Sequence, residues 1–105
     1  MHISKVLAYQ QFVSSALASA VSISTTLLRG TQGEYANAAL FSVGASSITC
    51  GVRFADDGTV PTGTVGQFLA YGQAPWLYQG DLTRVKFIAG VGNPDLNVTL
   101  LVVTD

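Results

Sequence analysis

The side chains that usually carry catalysis are scarce in this chain. Its only histidine is His2 and its only cysteine is Cys50. A serine or cysteine nucleophile needs a neighbouring base, and His2 lies at a chain end, where mobility is expected. A zinc site needs about four Cys, His or carboxylate ligands. We therefore predict a protein that is not an enzyme and that has no catalytic residue, no metal and no cofactor.

The one local pair of carboxylates is Asp56-Asp57, which is followed by Gly58. Two carboxylates can bind a hard cation, but calcium takes about six to eight oxygen ligands, and the further spaced acids of a calcium loop are missing. Asp side chains accept backbone N–H bonds in turns, and Gly tolerates positive φ. The segment therefore predicts a plain hairpin turn.

Aromatic side chains are the remaining route to a binding site. Tyr71, Trp76 and Tyr78 lie close together in the sequence, with Pro75 beside the tryptophan. They can fill the core or an edge between sheets, contact another subunit, where Trp and Tyr are enriched, or stack on a sugar ring. We take all three as candidate interface residues.

The elements that position these residues show a period of two, which is typical of half-buried strands. We predict strands where apolar and polar residues alternate (21–27, 48–54, 85–88 and 96–103) and a further strand over 5–13. Glycine-rich turn signals separate these segments. The pattern predicts one all-β domain over residues 1–105, an antiparallel sandwich of about seven or eight strands, jelly-roll or immunoglobulin-like. Residues 1–20 form either a strand or an extended arm. Cys50, on the apolar face of its strand, is expected to be a buried thiol, and Arg53 is expected to point away from the core.

Both faces of the C-terminal strand are apolar, because Leu101 and Val103 alternate with Leu100 and Val102. One face of a small sandwich normally meets solvent, so we expect a second chain to cover Leu101 and Val103. The composition agrees: 10% of the residues are charged, 49% are hydrophobic, and the mean hydropathy is +0.42. We predict a subunit of an assembly.

Other partners and locations are disfavoured by the same sequence. No apolar run exceeds four residues, far short of the ~18–20 that a membrane span needs. The five basic residues are scattered and the net charge is −1, so the phosphate contacts that dominate nucleic-acid affinity are not available. Ala18-Ser19-Ala20 resembles a signal-peptidase site, but polar residues interrupt the apolar segment before it. We expect an intracellular origin.

Residues 48–103 carry a series of short motifs in a particular order. The stretch VRFADDGTVPTGTVGQFL (52–69) is followed by YQGDL (78–82), VKFIA (85–89) and Asn97-Val98. This series is similar to small β-sandwich proteins encoded among the virion structural genes of tailed bacteriophages and prophages. The resemblance implies no catalytic residues.

The resemblance implies a function as well as a fold. It suggests a virion protein made in the cytoplasm of a bacterial host, most simply a capsid decoration (cement) subunit that stabilises the shell. The expected partners are the major capsid protein or other virion proteins and further copies of this chain, with a trimer favoured. The alternatives are a head-fibre, neck or tail accessory protein of the same fold, or a module that binds host glycans through Trp76 and Tyr71.

Overall fold

The computed structural model describes residues 2–30, 33–44 and 50–104. These residues form eight β-strands and one short 3-10 turn, Ala16–Ala18. The strands are β1 (His2–Phe12), β2 (Val21–Ser22), β3 (Ala38–Gly44), β4 (Gly51–Ala55), β5 (Gln67–Ala70), β6 (Trp76–Tyr78), β7 (Lys86–Val91) and β8 (Asp95–Thr104). No helix among the described residues is long and apolar enough to cross a membrane.

The strands pair as if the chain were one long hairpin folded back on itself. β1 pairs with β8, β2 with β7, β3 with β6, and β4 with β5, all antiparallel. Two further pairings connect these strand pairs into sheets. β3 pairs with β8, which joins the β1–β8 pair to the β3–β6 pair, and β4 pairs with β7, which joins the β2–β7 pair to the β4–β5 pair. The result is sheet 1, in the order β1-β8-β3-β6, and sheet 2, in the order β2-β7-β4-β5. This is the jelly-roll form of the antiparallel sandwich, so the all-β sandwich prediction is confirmed. An immunoglobulin-like strand order is not found.

The core lies between the two sheets and is centred on three phenylalanines. The ring of Phe41 in sheet 1 packs edge-on against Phe54 and Phe87 of sheet 2, at centroid distances of 5.5 and 5.0 Å. Leu96, Val98 and Leu100 of β8 close this layer. Each of these positions alternates with an outward one, which is why a period of two marks these strands.

Some predicted strands are confirmed and one is mostly wrong. β1 and β8 cover the segments 5–13 and 96–103 closely, and β7 overlaps 85–88. The predicted strand 21–27 pairs only at Val21–Ser22. Beyond it, Ser24 N–H donates to Gln10 Oε1, and Ser24 Oγ lies 2.9 Å from Thr26 Oγ1. These local bonds compete with a sheet ladder. Of the predicted strand 48–54, residues 48 and 49 lie outside the described residues.

The Asp57-Gly58 turn is present, but it does not close a tight hairpin. Gly58 has a φ of +91°, and Thr59 N–H donates to Asp57 Oδ1 at 2.9 Å. Residues 56–66 form one long connection between β4 and β5, which corrects the hairpin prediction. The connection folds back onto sheet 2 because Arg53 donates from Nε to Gly63 O and from Nη1 to Gly66 O, both at 2.9 Å.

Candidate interaction surfaces

The outer face of sheet 1 holds a second, small apolar cluster. Leu101 and Val103 lie there with Ala38, and Leu40 and Leu77 pack against them. Leu101 is 1% exposed and Val103 is 7% exposed in the single chain. The expectation that a second chain covers these two residues is therefore corrected, because the chain's own side chains already bury them. Neither residue offers contact area to a partner.

Strand β1 adds an exposed apolar row beside this cluster. Ile3 lies across from Val103, and Val6 lies across from Leu101. Directly opposed residues in an antiparallel pair share a face, so Ile3, Val6 and also Tyr9, opposite Thr99, point outward. Their exposed fractions are 45%, 44% and 73%. We call Ile3, Val6 and Tyr9 the β1 row.

Two bulges in β1 create this row. The register shifts between Ile3 and Lys5 and again between Val6 and Ala8. Each bulge adds one residue to β1, so residues three apart in β1 face partners only two apart in β8. Lys5 is turned away from the row and forms an ion pair with Glu34. The row is thus apolar along its length.

The other edge of the sandwich is closed by β5 and β6. Trp76 and Tyr78 share the inward face of β6, because residues two apart in a strand point to the same side of the sheet. The Trp76 ring packs edge-on against Phe54 at 5.2 Å, while Tyr78 stacks on Phe41 at 5.5 Å. Tyr78 is a core residue with a polar tip. Trp76 fills the gap between the two sheets and keeps 38% of its surface exposed.

The hydroxyl of Tyr78 is held at the core boundary by a carboxylate. It donates to Asp56 Oδ2 at 2.9 Å. Partial burial raises the pKa of Tyr78 to about 12, and the bond to Asp56 adds to the shift. Nearby, Arg84 donates to the carbonyl oxygen of Asp57. A hydrogen bond from Thr59 holds the pKa of Asp57 below its usual value.

Phe68 is a surface residue that the sequence did not single out. Its ring lies on the outer face of sheet 2, beneath the Arg53 guanidinium, whose Cζ is 5.2 Å from the ring centroid. Gly51 makes room for it, because a Cβ at Gly51 would lie 2.3 Å from Phe68 Cζ. Phe68 is 39% exposed. A ring so confined has little freedom to move.

Two adjoining depressions lie along this β5–β6 edge and meet at Gln67. One, of about 450 Å³, is lined by Gln67, Phe68, Gln73, Ala74, Pro75 and Trp76. The other, of about 370 Å³, is lined by Phe54, Ala55, Asp56, Asp57, Thr59, Val65, Gly66 and Gln67. We call the pair the β5–β6 trough. Tyr71 is 36% exposed but lies in the turn outside the trough lining.

Metal-ligating side chains are not clustered in the described part of the chain. No group of three or more His, Cys, Asp or Glu within them could hold a metal ion. Cys50 is 1% exposed, as predicted for a buried cysteine. Arg53 lies on the outer face and is bonded to carbonyl oxygens, which confirms its predicted direction. The described surface includes several exposed apolar and aromatic side chains.

Comparison of the chain with known protein families, curated proteins and solved structures finds no match to any of them.

Proposed function

We propose that this chain is a non-enzymatic structural subunit of a bacteriophage virion, specifically a capsid decoration subunit that stabilises the shell by subunit contacts. Three features support the proposal: the charge-poor composition, the jelly-roll strand order, and the similarity of residues 48–103 to virion proteins. The jelly roll occurs in viral capsid proteins, lectins and other proteins, so the fold is compatible with the proposal but does not select it.

The observation that carries the proposal is the β1 row. Ile3, Val6 and Tyr9 expose between 44% and 73% of their surface on one face. Soluble monomers rarely expose contiguous apolar patches larger than roughly a few hundred Å², and such patches mark interaction sites. The row also borders the buried Leu101–Val103 cluster, so a partner would rest on a rigid sheet. Rigid surfaces lose little conformational entropy on binding.

The partner that the row fits best is a second copy of this chain. Symmetric homo-oligomers are the commonest assemblies, and an apolar row without charge needs no complementary charge opposite it. A trimer would suit a three-fold position on a capsid. Each copy bound adds its contacts to the shell, so the stabilisation grows with occupancy.

The test compares two valine variants of nearly equal exposure. Val6 lies in the β1 row and is 44% exposed, whereas Val60 lies in the 56–66 connection and is 55% exposed. Light scattering coupled to gel filtration should find an oligomer for the wild-type chain and for Val60→Glu. Val6→Glu should be a folded monomer, because the new carboxylate would be desolvated in the contact. A wild-type chain that stays monomeric at high concentration contradicts the proposal.

The position on the particle requires a second measurement. A cryo-EM reconstruction of the virion should place the chain on the outer capsid surface in many symmetric copies. Density at the neck, at the tail or in a head fibre would replace the decoration role with the accessory role. In both outcomes the chain is a structural subunit of the virion, and only its location on the particle differs.

A further inference from the structure

The β5–β6 trough combines partly exposed aromatic rings with amide groups, which is the chemistry that recognises sugars. Trp76 and Phe68 leave 38% and 39% of their surface open. Both rings have packing partners: the Trp76 ring packs against Phe54 at 5.2 Å, and the Arg53 guanidinium lies over the Phe68 ring at 5.2 Å. A ring already held in place loses little entropy when a ligand stacks on it.

The polar groups of the trough are also oriented in advance. Gln73 Oε1 accepts the N–H of Ala70 at 3.1 Å. This bond fixes the amide so that Nε2, which has no partner among the described residues, remains a donor for a ligand. Gln67, at the junction of the two depressions, is exposed and makes no side-chain hydrogen bond within the described part of the chain.

The second depression supplies acceptors. Asp56 Oδ2 accepts from Tyr78, and Asp57 Oδ1 accepts from Thr59 N–H, both at 2.9 Å. Each carboxylate therefore has a second oxygen that can accept a ligand hydroxyl. Amide donors at one end and carboxylate acceptors at the other suit a ligand that both donates and accepts along its length.

The lining also excludes other ligand classes. Among the described residues, no lysine or arginine lines either depression, and the nearby Arg53 and Arg84 are bonded to backbone carbonyl oxygens. Phosphorylated, sulfated or nucleic-acid ligands would therefore meet the Asp56 and Asp57 carboxylates with no cation in the lining. An extended peptide that added to the edge of β5 would need free backbone groups. The N–H of Ala70 is already occupied by Gln73, and β5 is only four residues long.

We infer that the β5–β6 trough binds a neutral oligosaccharide, with one sugar ring stacked on Trp76 and Phe68 and its hydroxyls bonded to Gln67 and Gln73. Neighbouring sugar units extend toward Asp56 and Asp57. The site uses Phe68 in place of Tyr71, which lies outside the trough. This inference is independent of the proposed structural role, because the β1 row belongs to the opposite edge of sheet 1.

The test uses Trp76, the only tryptophan of the chain, as a direct fluorescent reporter. The probes are neutral hexasaccharides of β-1,4-linked glucose, α-1,4-linked glucose and β-1,4-linked N-acetylglucosamine, with a sulfated hexasaccharide as the anionic control. At least one neutral probe should change the fluorescence saturably, and the sulfated probe should not. Backbone amide shifts in NMR spectra should map to residues 67–76.

Two variants locate the binding. Gln67→Ala removes an exposed side chain without a structural bond and should weaken binding about three- to tenfold, which corresponds to one neutral hydrogen bond. Tyr71→Ala changes an aromatic residue outside the trough and should leave the affinity unchanged.

Three outcomes would overturn the inference. They are no response to any neutral probe at millimolar concentration, equal binding by wild type and Gln67→Ala, and competition at the trough by a proline-rich peptide that binds more tightly than every sugar.

Discussion

Gly51→Ala is the substitution that most directly tests how the exposed face of Phe68 is built. Gly51 lies in β4, opposite Ala70 of β5. A Cβ added there would lie 2.3 Å from Phe68 Cζ and 2.7 Å from the carbonyl oxygen of Leu69. The ring can swing away, but the Leu69 oxygen belongs to the backbone of the paired strand. The two strands would have to separate locally.

The expected loss of stability combines two destabilising effects with one stabilising effect. Overpacking of this kind costs roughly 1–3 kcal/mol. If the ring swings out, the stacking of Arg53 on Phe68 is lost, which costs about 0.5–1 kcal/mol at an exposed site. Replacing Gly by Ala restricts the unfolded chain and offsets about 0.4–1 kcal/mol. The net expectation is a loss of about 1–3 kcal/mol in the free energy of unfolding.

Gly44→Ala is the matched control. Gly44 also lies in a central strand, β3, but the nearest atom to an added Cβ is Asn97 Nδ2 at 3.9 Å. Because no clash arises, the substitution acts only by restricting the unfolded chain. This variant should therefore be as stable as the wild type or more stable by up to about 1 kcal/mol. Urea denaturation followed by circular dichroism measures both variants.

A double substitution separates the ring from the backbone. In the Phe68→Ala background the ring clash is gone and only the contact with the Leu69 oxygen remains, so Gly51→Ala should cost less than in the wild type. The reasoning is refuted if Gly51→Ala is as stable as Gly44→Ala. It is also refuted if removing Phe68 leaves the cost of Gly51→Ala unchanged.

Three further predictions concern the edge around β4 and β6. Gly58→Val should lower the free energy of unfolding by about 1–3 kcal/mol, because φ is +91° there and a β-branched residue is strained at positive φ. Asn tolerates this region better, so Gly58→Asn should lower the free energy of unfolding by less in the same denaturation assay. Arg53→Lys should destabilise by roughly 1–2 kcal/mol, since one ammonium cannot reproduce the bonds to two carbonyl oxygens, and hydrogen exchange should quicken in residues 62–66. The pKa of Tyr78 is raised from 10.0 to about 12, so its contribution to stability is complete below pH 10 and is lost as the pH rises toward about 12. Tyr78→Phe should therefore lose less stability than wild type over that interval in thermal melts.

The strands that alternate regularly were predictable, and the reason is visible in β8. Leu96, Val98 and Leu100 enter the core while Leu101 and Val103 enter the outer cluster. The sequence shows that both faces are apolar, but not which chain covers them. That depends on Ala38, Leu40 and Leu77, which are brought to β8 by the sheet order and not by proximity in the sequence.

The β1 row could not be predicted by the same reasoning. Ile3, Val6 and Tyr9 are spaced by three residues, which does not fit the period of two of a regular strand. Only the two bulges bring them to one side, and bulges have no reliable sequence signature here. Phe68 was missed for a related reason. Its exposed position depends on the space left by Gly51 on the paired strand. The sequence of one strand does not show where a neighbouring strand leaves room for a side chain.

The strand order makes the two proposed surfaces compatible within one subunit. β1 and β6 are the opposite edges of sheet 1, separated by three strand spacings, or about 14 Å. A copy docked on the β1 row therefore leaves the trough beside β6 open to a ligand. Because the residues of the two surfaces share no contact, their variants should act independently. Val6→Glu should abolish the oligomer and keep full affinity for the neutral hexasaccharide per chain, whereas Gln67→Ala should keep the oligomer and lose affinity. If Val6→Glu also abolished sugar binding while remaining folded, the sugar site would have to span two copies, and the trough of a single chain would be only part of it.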